Sequence, residues 1–389
     1  MRNIDAKHII KLTITPILSC INKILPKNEK QILLYSANRG IEHNLIPLRK
    51  YLLDNGYDHD YKIICGIKSL KYRDNDTRVV FVNKLKAIMA FLLTKYVFYT
   101  TGQIPIKPSQ NQMVIHLDHG MAFKSYGNQG AGLKQGSAFY FTLFSVTSPI
   151  YIPVIVEAFE CKSSNICING ELEMDRMLSG TKKYNFGLYK KLLLWTPTFR
   201  QSDILGWSDS REELLPMFKE SDYVELNERL KMHDYMLVVK LHSMQNVESY
   251  NVRHFSNLKI YTHDEFRKAD LDLYYLMGQA DCLIADYSSV FLQFLLLDKP
   301  MMFAIPDFEE YAEKRGFVFE DPLNYMPGPH IFTKIEFYEW LESFSKGVDL
   351  FKEERKRIRD LMHTYQTGGN CKRILDVAGI KEPDDLLID

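Results

Sequence analysis

The chain has no excess of either charge. Its 49 lysines and arginines balance 49 aspartates and glutamates over 389 residues, so no global field draws it to nucleic acid or an acidic polymer. Any anion must be bound locally. Paired cysteines are missing too: the six present (Cys20, Cys65, Cys161, Cys167, Cys282, Cys371) form no C-x-x-C, and Cys65 and Cys282 lie in apolar strand-like runs. That favours reduced core thiols in a cytoplasmic protein over a disulfide framework or a zinc site. No apolar run reaches the length needed to cross a bilayer. The sequence also lacks a Walker loop, a GxSxG elbow, an HExxH motif, a kinase signature, internal repeats and low-complexity tracts.

The nearest approach to a lipid-seeking segment is 8–25, HIIKLTITPILSCINKIL, whose apolar residues are interrupted by Lys11, Pro16 and Lys23. It suits a helix on a membrane surface and a helix packed on a domain equally well. Its length and the missing small-residue cleavage site argue against a signal peptide.

What is present is ordinary globular chemistry, 46% hydrophobic and 25% charged, long enough for two cores. From Gln31 short β-branched runs alternate with helix-length segments: ILLYSA, a helix 45–53, YKIICGI, RVVFVN, a helix 84–95, YVFYTT and MVIHLD. The alternation resumes with KLLLWTPTF, helices near 209–218 and 222–233, YMLVVKLH, NLKIYT, a helix 270–278 and CLIAD. Two such registers predict two α/β halves, each a doubly wound parallel sheet. The expected division is an amphipathic segment 1–27, a first domain 28–182, a second domain 183–349, and a helix with tail 350–389.

Ligands of doubly wound sheets bind beyond the carboxyl ends of the strands, which makes polar residues after strands the candidates. His119 with Gly120 follows VIHLD, where an imidazole can take a proton at neutral pH and a glycine permits close approach or positive φ. The plainer alternative is a hydrogen-bonded turn. Metal binding through His116 and His119 is disfavoured, because that spacing on a strand turns the two rings to opposite faces. Lys240 and His242 share a face at the end of VVKLH and suit a phosphate, unless they are simply a solvated strand end. Arg200 after WTPTF would clamp a phosphate or carboxylate, or else sit at the surface. Ser288 and Ser289, behind Asp286, open a helix at Val290 through Leu297, and would either hold an anion or merely cap it.

Asp286-Tyr287-Ser288-Ser289-Val290-Phe291, Leu296-Leu297-Asp298-Lys299-Pro300, Asp307-Phe308-Glu309-Glu310-Tyr311, Arg315-Gly316-Phe317 and Pro327-Gly328-Pro329 together resemble the CDP-glycerol glycerophosphotransferase family, the primases and polymerases of teichoic acids and related capsules. His119-Gly120 with Lys124 and Gly127 resembles that family's WHG-TPLK-x-x-G turn. Pro197-Thr198-Phe199-Arg200 resembles its APTWR loop, and Lys240-Leu241-His242 its KLHP strand end. Gly170 and Asp175 resemble remains of a G-YPR-ND segment, and 36–44 the first loop of the N-terminal domain. Departures fall at Asp118 (usually Trp), Met121-Ala122 (Thr-Pro), Leu172-Glu173 (Pro-Arg), Ser243 (Pro) and Gln293 (Asp).

The resemblance implies two Rossmann-like domains facing a cleft, a glycosyltransferase-B-like arrangement with the acceptor on the first domain and a CDP-polyol on the second. It implies transfer of glycerol phosphate or a related polyol phosphate to a hydroxyl of a lipid-linked saccharide or growing polymer, with release of CMP. His119 is then the general base and His242 the second catalytic residue. Gly120, Lys124, Pro197, Thr198, Arg200, Lys240, Asp286, Ser288, Ser289 and Arg315 contact substrate. No protein-bound metal is required, and Mg²⁺ from solution stays compatible. The expected location is the inner face of the cell membrane. Two competing expectations are a sugar-nucleotide glycosyltransferase of the same architecture and a degenerate, binding-only relative.

Overall fold

The computed structural model describes residues 6–38, 40–125, 127–129, 138–202, 207–208, 213–242, 245 and 255–383. The chain forms two compact units. One comprises 1–119, 134–175 and 368–389, the other 120–133 and 176–367.

In the first unit, β1 (Asn28–Tyr35), β2 (Lys62–Gly66), β3 (Val80–Val82), β4 (Thr94–Tyr99), β5 (Met113–His116), β6 (Leu143–Val146) and β7 (Ile166–Ile168) form one sheet in the order β3-β2-β1-β4-β5-β6-β7. Every pairing is parallel. Successive residues of a strand face opposite sides, and Ile32, Leu33 and Leu34 are all fully buried, so both faces of the sheet are covered. That is why these strands read as continuous apolar runs.

The second unit holds β8 (Lys191–Trp195), a small antiparallel pair β9 (Gln201–Ser202) and β10 (Trp207–Ser208), then β11 (Tyr235–Lys240), β12 (Leu258–Tyr261), β13 (Cys282–Ala285), β14 (Met301–Ala304) and β15 (His330–Ile331). Its main sheet runs β12-β11-β8-β13-β14-β15, again all parallel. Counted from β8, that is the 3-2-1-4-5-6 order of a doubly wound fold.

Three sequence expectations change. The helix near 209–218 is absent from its described part: Leu215 and Phe218 instead close an antiparallel bridge. Pro216 cannot donate to a helix, and Met217 takes φ +73°. Residues 209–212 lie outside the described residues. The helix after Ser289 spans only Val290–Phe294 and tightens into a 3₁₀ turn, Leu295–Leu297, which Asp298 ends in the left-handed region. The expected first domain 28–182 loses 120–133 to the second unit and ends at 175, not at 182, and residues 350–389 are divided. The helix Lys352–Met362 stays with the second unit, whereas Asn370–Ala378 returns to the first, where Asp175 accepts from the N–H groups of Asn370 and Cys371.

The N-terminal helix Ala6–Ile24 is clipped to the first unit by buried polar groups. Asn22 Nδ2 donates to Lys107 O and Gln112 Oε1, both at 2.9 Å, and Lys27 Nζ donates to Asn22 Oδ1 at 2.7 Å. In the second unit Lys299 donates to the carbonyls of Gly278 and Ala280, capping the helix Leu273–Gln279 at its C-terminus. Glycine at 278 is required by close approach, since a Cβ there would lie 2.4 Å from Met177 O. In an open helix glycine to alanine stabilises by about 1 kcal/mol. Gly278→Ala is expected instead to destabilise by about 1–3 kcal/mol, read from the denaturant midpoint.

Candidate functional site

The order of the second sheet reverses at β8, which stands between β11 and β13, and ligand sites of such sheets lie beyond the strand ends at that point. Several candidate residues of the second unit, Arg200, Lys240, His242, Asp286, Ser288 and Ser289, lie at the ends of these three strands.

At the end of β8 the chain runs through buried Thr196, Pro197 and Thr198 to Arg200, itself 1% exposed. Beyond β13 Asp286 is fully buried. Its Oδ2 accepts from Thr198 N at 2.7 Å, its Oδ1 from Thr198 Oγ1 at 2.6 Å and from Ser288 N at 3.1 Å. Arg200 Nη1 donates to Asp286 Oδ2 at 2.5 Å, while Nε and Nη2 reach Asp307 at 3.1 and 3.2 Å. Tyr287 Oη donates to Asp307 at 2.8 Å, and its ring stacks on Tyr311 with centroids 4.1 Å apart. Burial alone would drive Arg200 toward neutrality. The two carboxylates outweigh it, and its pKa rises above the normal arginine value. Burial followed by the Asp307 charge likewise pushes up the Tyr287 phenol, which remains a hydrogen-bond donor.

Arg200 therefore does not serve as the phosphate clamp expected from the sequence. Its guanidinium is enclosed between two carboxylates and neutralised by them. Asp286 is occupied in the same way, and its role is to tie the β8 and β13 turns together. Ser288 and Ser289 are different. Ser289 occupies the N-cap position, yet its side chain makes no capping bond, so the mere-cap alternative fails for it. A five-residue helix has little macrodipole, and any anion held here is held by hydroxyl and N–H groups.

Lys240 ends β11, beside β8, with Val239 in register with Trp195. No carboxylate among the described residues pairs with it, and burial lowers its pKa to about 8. His242, two residues on, is exposed and lies 4.9 Å from the Phe199 ring. Gly120 belongs to this unit as well. It takes φ +141°, and a Cβ would come within 3.1 Å of Ser289 Oγ, so close approach and positive φ both apply. Lys124 bridges Phe317 in antiparallel fashion, and Ser125 N donates to Gly316 O at 3.2 Å. Arg315, at the end of the helix Phe308–Arg315, thus lies in a segment laced to the glycine turn.

In the first unit His119 follows β5 with its side chain 52% exposed. Its Nδ1 lies 2.9 Å from Asp118 Oδ1, which also accepts from His119 N at 2.8 Å. His116 is buried, its ring stacked on Phe144 at 4.4 Å, and its Nδ1 accepts from Asp118 N at 3.1 Å. Burial lowers its pKa to about 4, keeping it neutral. The hydrogen-bonded turn offered as the plainer alternative is realised, and it engages His119 through Nδ1 and the backbone N–H.

Sequence reasoning quoted Asp307 and Tyr287 without assigning them a role, because nothing local marks a carboxylate as the partner of an arginine 107 positions away. Gly170 and Asp175 prove to be packing residues. A Cβ on Gly170 would strike Asn370, and Asp175 caps the helix that begins there. Arg200→Met, which strands two buried carboxylates, is expected to cost about 3–5 kcal/mol of unfolding free energy. A surface phosphate contact would leave the unfolding midpoint unchanged.

With the geometry in view, comparison with known proteins is direct. The chain is 25% identical over 340 residues to the teichoic acid poly(ribitol-phosphate) polymerase of Bacillus spizizenii, covering 82% of this chain but 49% of that protein. It is 24% identical to the poly(glycerol phosphate) polymerase of the same organism, over 80% of this chain and 82% of the relative. It therefore spans about half the length of one polymerase and most of the other. In fold it matches the wall teichoic acid polymerase TagF, in a variant soaked with CDPG, with a TM-score of 0.73 and 16% identity over 98% of this chain and 96% of that one. Residues 17–378 match the family described as CDP-glycerol:poly(glycerophosphate) glycerophosphotransferase, and the chain belongs to that family.

Proposed function

We propose that the chain transfers a polyol phosphate, glycerol phosphate foremost, from a CDP-polyol to a hydroxyl of a lipid-linked saccharide or growing cell-surface polymer. The carrying observation is Lys240, an ammonium without a carboxylate partner among the described residues, at the reversal point of the second sheet. Arg200, the neighbouring cation, is neutralised inside the fold. Lys240 thus remains for the pyrophosphate, with His242 and the hydroxyls of Ser288 and Ser289 at the adjoining strand ends. The acceptor oxygen bonds to the β-phosphorus, the bond to the α-phosphate oxygen breaks, and CMP leaves. Lys240 and His242 offset charge on the phosphoryl oxygens and on CMP. His119 takes the hydroxyl proton on Nε2.

The ammonium form of Lys240 is present below about pH 8 and lost above it, so donor binding is expected to weaken as pH rises through that value. Lys240→Arg should abolish this dependence. Lys240→Met should raise the KM for CDP-glycerol about tenfold or more, in line with about 1.5–3 kcal/mol for a charged hydrogen bond. His119→Gln should lower kcat by roughly 10²–10⁴. Mass spectrometry of products from CDP-glycerol, CDP-ribitol and UDP-sugars with lipid-linked acceptors checks the reaction itself. Release of UDP without CMP would replace this reading with a sugar transferase.

The same enzyme would work at the inner face of the membrane. No helix among the described residues is long and apolar enough to cross it. The helix Ala6–Ile24 nevertheless exposes Ile14, Ile17 and Ile24 at 46, 60 and 82% along one face, opposite its clipped side. The adjacent helix Lys84–Leu93 exposes Leu85 and Met89 at 75 and 60%. Exposed Lys23, Lys84 and Lys86 accompany them, a pairing that suits anionic headgroups. Charging this face by Ile17→Asp with Leu85→Asp is expected to abolish flotation with anionic vesicles, and unchanged flotation removes the idea.

A further inference from the structure

Asp118 stands where the family pattern has tryptophan, and it takes φ +57°, a conformation that Asp, Asn and Gly tolerate far better than bulky residues. Several contacts fix it there. Asn44 Nδ2 donates to Asp118 O at 3.2 Å and to Leu117 O at 3.1 Å, while Asn44 Oδ1 accepts from Glu173 N at 3.1 Å. Below, Asp118 N donates to neutral His116, whose ring Tyr99 meets edge-on at 4.6 Å. The carboxylate is 9% exposed and the imidazole it touches is 52% exposed, so one end of the pair is buried and the other open.

We infer that Asp118 is a positioning residue for His119: its carboxylate accepts from the backbone N–H and from Nδ1–H of the next residue, fixing the tautomer that presents Nε2 as base. The inference rests on the base role proposed above. In the step itself the acceptor hydroxyl proton passes to Nε2 while its oxygen bonds to phosphorus. The resulting imidazolium lies against a carboxylate and later returns the proton to solvent.

The electrostatics agree. Burial alone would raise the pKa of Asp118, yet its bonds and charge interactions with His119, with a smaller one from His116, bring it below the usual value, so the carboxylate is ionised at neutral pH. Titratable groups near the pair among the described residues include His43, whose ring lies 5.5 Å from that of His119, and His116 and Tyr99 beneath. Glu173 joins the same cluster through its backbone N–H, which donates to Asn44 Oδ1. His116 stays neutral above about pH 4, and burial raises Tyr99. Asp118 is therefore a group in direct contact with His119 that carries charge across the working range.

The test is Asp118→Asn, which keeps an acceptor and tolerates positive φ while deleting the charge; Asp118→Gly does the same for the backbone without an acceptor. For both, kcat should fall roughly 10- to 100-fold with the KM for CDP-glycerol changed less than about threefold. The acid limb of the kcat/KM profile should move down by about one pH unit, as should the His119 titration followed by ¹⁵N NMR of histidine-labelled full chain, assigned through His119→Gln. Unchanged kcat in folded variants would overturn the inference whether or not the NMR titration moves, and so would an unmoved titration. Wild-type turnover by His119→Gln would instead remove the base role. Inactive His119→Gln with normal Asp118→Asn would remove only the positioning.

Discussion

The ion pairs that join Arg200 to Asp286 and Asp307 hold the second unit's strand ends in one arrangement. They link the ends of β8, β13 and β14, segments separated by 86 and 107 positions in the chain. Removing three charges from water is expensive, and a buried pair is weak evidence for net stability. Its effect is on position. With the guanidinium in place, Asp286 faces Thr198 and the Ser288 N–H, and Asp307 receives the Tyr287 hydroxyl. The turns after β8 and β13 cannot then shift independently. Arg200 is fully engaged by the two carboxylates, whereas Lys240, at the end of neighbouring β11, has no carboxylate partner among the described residues.

Much of the fold was legible because parallel strands buried on both faces appear as plain apolar runs: ILLY, KIICG, KLLLW and CLIA all became strands. The helix Lys334–Ser345 was missed, although Thr333 and Glu336 form a capping box visible as T-K-I-E. Pro216 was the signal against the helix near 209–218. The redistribution of the C-terminal segment had no local signal, since Gly368-Gly369 reads as a stop whatever follows it.

The candidate site divides similarly. Strand-end position marked Lys240, His242, His119 and the two serines as candidates, because a doubly wound sheet makes that position informative by itself. It misread Arg200, because residue type and position say nothing of partners distant in sequence. The departure at Asp118 was visible as a substitution, but its meaning depended on a backbone angle and two distances. The family motifs likewise include structural roles: Lys299 caps a helix, Asp298 ends a turn, and Asp307 pairs with an arginine.

The return of Asn370–Ala378 to the first unit has a consequence for how the protein is made. Cys371, Ile374 and Leu375 belong to the same core cluster as Ile32, Leu34 and Phe98. The helix that completes this core thus leaves the ribosome almost 200 residues after Asp175, a delay of roughly 10 to 40 s at 5–20 residues per second. Through that interval the N-terminal sheet has an uncovered apolar flank, and the second unit, continuous from Arg176 to Thr367 apart from the short 120–133 segment, emerges in full first. The nascent chain is therefore most exposed to aggregation on its earliest-made half, where a chaperone has the longest time to act.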